Sequence, residues 1–390
     1  MKSASFFRIG LLGDVVVANA LGKADPLGDL LKQHLSEHDL TIFNLEAPIL
    51  DEDTLPSAQK IGPVLKQHSD IGKLLNSKYL DIALLANNHI ADFGVKGIEQ
   101  TQSRLDAHGI RHIGTAYKPL IAEKNACRIA IFAAAEGQFG AMRGEETNGY
   151  VWLLHPKLKE EIQKAKHNKE IQKIWLFVHA GLEGEAIPLP EWRQIYREFI
   201  DLGVDLIVGT HPHHIQGKEI YQGKPIYYSL GNAFFNLAHA PQSWYQSIFL
   251  SVCIDLTTGD MNTEEHLLCL SGQTLDIANN QEELKCFLEK QKHILENKEL
   301  YNQHIKEICL AHWERYYESY LFFPKTNVEV LPLDKGIKRL LKRQLHHLLE
   351  KIKARFFHQN DQQEMFWLHV FQTETHRFVI ERALRERSKT

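Results

Sequence analysis

The chain has 390 residues and a net charge of −4, and its pI near 6.6 excludes the strong positive charge typical of nucleic-acid-binding domains. Hydrophobic residues make up 44% of the sequence, close to the average for soluble globular proteins, so the chain can bury a core. The length is too great for one ordinary core. We therefore expect one large domain with an appendage, or two domains.

The cysteines and the apolar stretches indicate the cellular compartment in which the protein works. The five cysteines form no CxxC pair and lie far apart, which favours reduced thiols over a disulfide framework. No apolar stretch reaches the roughly 18 residues of a membrane span. The N-terminus lacks the apolar centre of a signal peptide. We expect a cytoplasmic protein.

Short β-rich runs alternate with segments of helical period along the first 255 residues. Strands are predicted at residues 9–12, 40–43, 82–85, 128–132, 174–178, 206–208, 225–230 and 248–254. Helices are predicted between them at residues 27–38, 67–75, 95–108, 157–167 and 191–202. Strands that alternate with helices imply an α/β domain with buried sheets, in which ligand sites lie at the carboxyl ends of strands.

The pattern changes after a turn at residues 255–260. A strand is predicted around residues 266–270. From about residue 279 the pattern is helical, with helices predicted at residues 281–293, 300–320, 336–357 and 361–387. We therefore divide the chain into an α/β domain, residues 1–275, and a helical C-terminal extension, residues 276–390.

The predicted helix at residues 336–357 has a basic face and a face rich in Leu and Ile. Eight Lys or Arg residues and only two acidic residues lie between Asp334 and Arg355. The helix either packs on the main domain with its basic face in water, or it contacts anionic lipid or a partner protein.

Two histidines follow the predicted strand at residues 206–208. His211 and His213 flank Pro212, and residues at this spacing in extended chain point to one side. Two imidazoles placed in this way form one edge of a site for a divalent cation. The same residues are equally compatible with a surface loop.

Other polar side chains follow other predicted strands. His179 ends the strand at residues 174–178, where a structural role is an alternative. After the strand at residues 82–85, the Asn88 amide oxygen could bind a metal and His89 could act on a substrate, with its tautomer fixed by Asp92. This motif is also compatible with a turn and a helix cap.

Asp14 and Glu46 each follow a strand of their own. A buried carboxylate at such a position needs a partner charge or a metal, although either residue could instead cap the helix that follows. The convergence of so many potential ligands at the same end of the strands favours a shared site. The predicted ligands are Asp14, Glu46, Asn88, His179, His211 and His213.

These segments resemble the CapA family of poly-gamma-glutamate capsule proteins over about residues 8–255. The matching segments are Gly13-Asp14, Asn44-Leu45-Glu46, Asn87-Asn88-His89 with Asp92, His179-Ala180-Gly181, residues 203–213 and residues 216–232. That family is similar in turn to calcineurin-like metallophosphoesterases. The resemblance implies a four-layer αββα sandwich and two divalent metal ions of the Mn, Fe, Zn or Mg kind. It also implies that Glu46 bridges the two ions and that His89 contacts the substrate.

Two positions depart from the usual phosphoesterase pattern. Typical members carry a His two residues after the first Asp, where this chain has Val16, and they bridge the ions with Asp, where this chain has Glu46. The first ion is therefore expected to be weakly held or absent. Many CapA proteins also carry a membrane anchor and lie outside the cell. This chain shows no such anchor in its sequence, so we do not expect an extracellular role.

The resemblance implies metal-assisted hydrolysis in the synthesis of a capsule, an exopolysaccharide or poly-gamma-glutamate, with a phosphoester as the favoured substrate. In this mechanism His89, oriented by Asp92, protonates the departing oxygen. The expected partners are a small molecule or a polymer end and, through the basic C-terminal helix, a membrane surface or the capsule machinery. The alternative is an accessory protein that binds a metal or a polymer precursor and catalyses no reaction.

Overall fold

The computed structural model describes residues 6–51, 55–144, 148–237, 240–318 and 364–388. The chain divides into two compact units. The first consists of residues 1–59 and 63–305, and the second of residues 60–62 and 306–390. The domain boundary that we placed after residue 275 stays a prediction.

Strands and helices alternate through most of the first unit. The strands in the described part of the chain are β1 (Phe6–Val16), β2 (Leu40–Leu45), β3 (Ile82–Leu84), β4 (Arg111–Ile113), β5 (Leu120–Lys124), β6 (Cys127–Ala135), β7 (Ala141–Met142), β8 (Tyr150–Val151), β9 (Lys173–His179), β10 (Leu206–Thr210), β11 (Lys218–Tyr221), β12 (Lys224–Tyr227), β13 (Asn232–Phe235), β14 (Gln246–Asp255), β15 (Met261–Ser271) and β16 (Thr274–Ile277). The α-helices whose two ends both lie in the described residues are α1 (Asp29–Ser36), α2 (Ile71–Leu75), α3 (Gly94–Ala107), α4 (Pro156–His167), α5 (Pro190–Leu202), α6 (Gln281–Glu296), α7 (Lys298–His312) and α8 (Glu374–Arg387).

Two large sheets organise these strands. In the first sheet the order is β16-β15-β14-β1-β2-β3-β4, with β13 beside the end of β1, and β1 to β4 run parallel. In the second the order is β11-β12-β10-β9-β6-β5, with β6, β9, β10 and β12 parallel. The carboxyl ends of the parallel strands therefore lie along one edge of each sheet, where α/β proteins place their ligand sites.

The two sheets pack against each other through alternate residues of their strands. Ile131, Trp175 and Leu206 of the second sheet belong to the same buried cluster as Ile9 and Ile42 of the first. The intervening residues of β6, β9 and β10 are buried as well, because helices cover the other face: α4 contacts β9, and α5 contacts β10. On the first sheet, α1 contacts β16 and α3 contacts β4. The expected α/β sandwich of the metallophosphoesterase type is confirmed.

Some of the predicted elements are shorter in the structure than in the sequence analysis. The helix predicted at residues 67–75 begins at Ile71. Before it the backbone forms tighter turns, in which the N–H groups of Ile71 and Gly72 donate three residues back, to His68 and Ser69. The strand predicted at residues 225–230 ends at Tyr227, and β13 follows after an irregular segment.

The second unit is mainly helical in the described residues that follow Lys306. After α7 the backbone forms a π-helical segment, Trp313–Tyr317, and the Tyr317 hydroxyl lies 2.5 Å from His376 Nδ1 of α8. The helix predicted at residues 361–387 is interrupted: residues 364–372 are helical, and α8 begins after Thr373. The basic helix predicted at residues 336–357 lies outside the described residues. None of the described helices combines the length and the apolar character needed to cross a bilayer.

A partly buried ion-pair group joins α5 to β11. Glu219 of β11 accepts hydrogen bonds from Arg193, at 2.6 Å, and from Arg197, at 2.7 Å. Burial alone would raise the pKa of Glu219, but the two guanidinium groups lower it below its usual value. Arg193 also donates to the carbonyl of Leu295 at the end of α6, so the same group holds that helix.

We expect Glu219→Gln to lower the free energy of unfolding by about 2 kcal/mol, because it leaves buried guanidinium charge without its partner. Glu282→Gln is the matched control, since the Glu282–Lys285 pair on α6 is exposed to solvent and should contribute little to stability. Urea-induced unfolding of both variants measures the difference. Equal midpoints for the two variants would contradict this account of Glu219.

Candidate metal centre

The structure brings all six predicted ligands together in the interior of the first unit. The first sheet contributes a residue near the end of β1, the residue after β2 and a residue in the turn after β3. The second sheet contributes the last residue of β9 and the turn after β10. All six side chains are buried: Asp14, Glu46, Asn88, His179, His211 and His213. Their role as metal ligands stays a prediction.

Within the described residues, two groups of ligand atoms are close enough to hold one cation each. The atoms of Asp14, Glu46 and His213 lie within 4.8 Å of one another, and so do those of Glu46, His179 and His211. We call these the first triad and the second triad. Glu46 belongs to both, with Oε1 3.4 Å from His179 Nε2 and 3.8 Å from His213 Nε2. This arrangement fits a pair of cations that share one carboxylate.

Asn88 adds an oxygen to the second triad. Its Oδ1 lies 2.9 Å from His179 Nε2, the same nitrogen that faces Glu46. The preceding residue, Asn87, accepts hydrogen bonds from the backbone N–H groups of His89 and Ile90 and so fixes the turn. For the segment Asn87-Asn88-His89, the alternative of a turn applies to Asn87, which shapes the turn. Asn88 instead points toward the other predicted ligands.

The environment of Glu46 tests whether these residues suit a cation. Both of its carboxylate oxygens are buried and have no hydrogen-bond partner among the described residues. Burial raises the pKa of Glu46 and of Asp14, and the charge of Glu46 raises the pKa of Asp14 further. A buried carboxylate without donors, next to a second buried carboxylate, is costly unless positive charge compensates the pair. Divalent cations supply that charge, so the donor set fits them.

The outward-facing nitrogens of two histidines have neutral hydrogen-bond partners. His179 Nδ1 lies 3.0 Å from the hydroxyl of Thr210, and His213 Nδ1 lies 2.9 Å from Oδ1 of Asn232. When Nδ1 donates to these oxygens, Nε2 carries the lone pair toward Glu46. Hydrogen bonds of this kind orient metal-binding histidines in proteins.

The backbone at Gly13 and Asp14 of β1 lies very close to the backbone at Gly231, just before β13. Gly13 lies against β13, and a Cβ at Gly13 would be 1.8 Å from the carbonyl oxygen of Gly231. This approach lets the Asp14 N–H donate to that carbonyl. The carboxylate of Asp14 accepts from the Asn44 amide at 2.7 Å and from the backbone N–H of His211 at 3.1 Å.

The turn that carries two of the histidines is strained. His211 has a φ of 99° and His213 a φ of 59°, values that non-glycine residues rarely adopt. Such conformations cost on the order of 1–3 kcal/mol each and persist at functional sites. Gly181 packs against Pro212 with a φ of 134°, so a side chain there would both strain the backbone and meet the proline ring.

The predicted catalytic pair is present beside the triads. His89 Nδ1 lies 2.8 Å from Asp92 Oδ2, and both side chains are buried. The Leu65 N–H donates to the same carboxylate oxygen and helps to hold it. His89 Nδ1 is thereby assigned as a donor, and Nε2 is the nitrogen at which a proton can be exchanged with a substrate.

Val16 occupies an apolar environment in place of a further ligand. It belongs to a small buried cluster with Ala47 and Phe235, against which Trp244 packs. The Trp244 ring lies over His213, with 4.3 Å between ring centroids. The first triad is thus bounded by apolar side chains on this side, as expected from the absence of a histidine at position 16.

Glu136 is a buried site residue to which the sequence analysis gave no role. It directly follows β6, and its Oε1 lies 3.1 Å from His211 Nε2. Burial alone would lower the pKa of His211, but the hydrogen bond and charge of Glu136, together with the charges of Glu183 and Glu46, raise it to about 9. The sequence signal was its position at a strand end. That β6 lies beside β9 could not be read from the sequence.

The fold is that of the calcineurin-like metallophosphoesterase superfamily, to which the family that the chain matches belongs. The model of the bacterial capsule synthesis protein family PGA_cap matches residues 8–237, and the chain belongs to that family.

Two relatives with curated names match part of the chain. The capsule biosynthesis protein CapA of Bacillus anthracis is 27% identical over 213 residues, which are 52% of this chain and 52% of that protein. The PGA biosynthesis protein CapA of Bacillus subtilis is 27% identical over 248 residues, 60% of this chain and 63% of that protein. The chain therefore spans between half and two thirds of the length of these relatives. A hypothetical protein from Thermus thermophilus has a similar solved structure, with a TM-score of 0.42 and 14% identity over 67% of this chain and 98% of its own.

We expect His213→Ala to reduce Mn²⁺ binding from about two ions per chain to about one, because it removes a nitrogen from the first triad only. His214→Ala is the matched control: His214 is the next residue, and its Nε2 contacts Ser243 instead of a carboxylate of the triads. Calorimetric titration of the metal-stripped full chain measures the stoichiometry. The same stoichiometry in both variants would contradict the assignment of His213.

Proposed function

We propose that this chain is a metal-dependent hydrolase, with a phosphoester as its favoured substrate, that acts in the synthesis of a capsule, an exopolysaccharide or poly-gamma-glutamate. The observation that carries the hydrolase assignment is the position of Glu46 in both triads. A carboxylate shared by two ligand groups suits two cations held close together, which is the arrangement of two-metal hydrolytic sites.

The protein residues supply orientation and a proton. Two divalent cations, when bound, supply activation of water and neutralisation of the charge that develops on the substrate oxygens. His89 is held by Asp92 at 2.8 Å, so its ring is oriented before the substrate arrives. Protonated His89 donates its Nε2 proton to the departing oxygen, and the Asp92 carboxylate stabilises the charged ring.

The biosynthetic role is supported by the family and by the names of its members. The chain belongs to the PGA_cap family, and the two Bacillus relatives are named for capsule and PGA biosynthesis. We extend this role to the present chain and propose a small molecule or a polymer end as its substrate, with an amide bond as the alternative to a phosphoester. A net charge of −4 does not favour nucleic acid.

We also propose a cytoplasmic location, with a peripheral contact to a membrane or to the capsule machinery through the basic segment between Asp334 and Arg355. Its sequence combines clustered positive charge with a Leu/Ile-rich helical face, the pattern of interfacial helices.

The second candidate function is an accessory protein that binds a cation or a polymer precursor without turnover. The observation in its favour is Val16, which lies in an apolar cluster and leaves the first triad with ligands from Asp14, Glu46 and His213. A single tightly bound cation and no hydrolysis would favour this function, whereas two cations with hydrolysis would favour the enzyme.

We expect His89→Asn to lower kcat for phosphoester hydrolysis by about 10²–10⁴-fold, with the larger loss for alkyl leaving groups, which depend most on protonation. His112→Asn is the matched control, since His112 forms a similar pair with the exposed Asp106, at 3.3 Å. Turnover of p-nitrophenyl and alkyl phosphate mono- and diesters is measured with Mn²⁺.

Two results would contradict this proposal. The first is the absence of turnover by the native protein with every ester, although the protein binds Mn²⁺. The second is equal turnover by the native protein and the His89→Asn variant. Mn²⁺ binding by His89→Asn is measured in parallel, because a loss of binding would assign His89 to the cation site instead of to the substrate.

A further inference from the structure

We propose that Glu136 is a positioning residue that selects the nitrogen through which His211 binds a cation in the second triad. The inference rests on the proposed metal centre and does not depend on the substrate or on whether the site turns over. It concerns a buried carboxylate that has no part in either triad.

The sheet places Glu136 beside the second triad. Strand β9 pairs with β6 on one side, Ala135 opposite His179, and with β10 on the other, Thr210 opposite His179. The N–H of Glu136 donates to the carbonyl of His179 at 3.1 Å. Three neighbouring strands therefore end side by side with Glu136, His179 and His211.

The two ring nitrogens of His211 face different partners. Its Nδ1 lies 3.1 Å from His179 Nε2, on the side of the second triad, and its Nε2 lies 3.1 Å from Glu136 Oε1. A neutral imidazole binds a cation only through the nitrogen that lacks a proton. Because the carboxylate of Glu136 accepts a hydrogen bond from Nε2–H, the proton stays on Nε2 and Nδ1 keeps its lone pair, directed at the triad.

Glu136 is held in place on its backbone side. The hydroxyl of the buried Tyr150 donates to the carbonyl of Glu136 at 3.0 Å, and the N–H of Gln138 donates to that hydroxyl at 2.8 Å. The segment after β6 is thereby fixed at two residues. A fixed carboxylate orients the His211 ring before a cation binds.

The partner of His211 differs in charge from those of the other two histidines. His179 and His213 are hydrogen-bonded to the uncharged oxygens of Thr210 and Asn232. A carboxylate increases the basicity of an imidazole ligand more than a neutral acceptor does, and loss of such a partner typically weakens metal affinity about 10–100-fold. Glu136 therefore strengthens cation binding in the second triad in particular.

The test compares Glu136→Gln with Glu183→Gln in the metal-stripped full chain. Glu183 is the matched control, because its Oε1 lies 3.8 Å from His211 Nε2, beyond hydrogen-bond distance, and its side chain is 53% exposed. Titration with Mn²⁺ should show that Glu136→Gln weakens one binding event by about 10–100-fold, whereas Glu183→Gln leaves both events close to those of the native protein. The same loss in the His213→Ala background would assign the weakened event to the second triad.

A second readout reports the ligand directly. With Co²⁺ bound, the visible absorption spectrum of Glu136→Gln should change and that of Glu183→Gln should not, and Glu136→Asp should recover part of the native affinity. Four results would overturn the inference. Glu136→Gln could bind Mn²⁺ with native affinity, or Glu136→Gln and Glu183→Gln could lose the same affinity. Glu136→Gln could also weaken both binding events equally, or the native chain could bind no cation. A native chain that binds two cations and hydrolyses no ester would overturn the proposed function and leave the inference about Glu136 standing.

Discussion

The carboxylate of Glu46 is the group on which the arrangement of this protein's interior depends. It is fully buried, neither oxygen has a hydrogen-bond donor among the described residues, and it stands between His179 and His213. A carboxylate in such a place destabilises the fold unless positive charge reaches it. In the described part of the chain no Arg or Lys pairs with Glu46. The side chains around it instead offer oxygen and nitrogen atoms that suit divalent cations, which would supply the charge.

The sandwich supplies these atoms from two directions. Strands β1, β2 and β3 bring Asp14, Glu46 and the turn at Asn88, and strands β9 and β10 bring the histidines from the facing sheet. Each sheet alone carries only part of the ligand set. The hydrophobic contact between the sheets is therefore what assembles the site, and the strained turn at His211 and His213 is maintained by the packing around it.

The sequence predicted the strands that carry the ligands and the polar residues at their ends, because β-rich runs that stop at Asp, Asn or His are local patterns. It missed the shorter strands β4, β5, β7, β8, β11, β13 and β16. It could not predict sheet order, which depends on contacts between distant segments. For that reason Glu136, Asn44 and Asn232 were missed as partners of the ligands, although each lies at the end or the start of a strand.

Val16 and its neighbours make the two halves of the centre unequal. The first triad is bounded by an apolar cluster and the ring of Trp244, whereas the second triad gains the Asn88 oxygen and the carboxylate behind His211. The most direct test of the central claim is anomalous diffraction at the manganese edge from crystals of the full chain grown with Mn²⁺. The account predicts two peaks roughly 3.5–4 Å apart on either side of Glu46. Peaks remote from Glu46, or none within reach of its carboxylate, would contradict it.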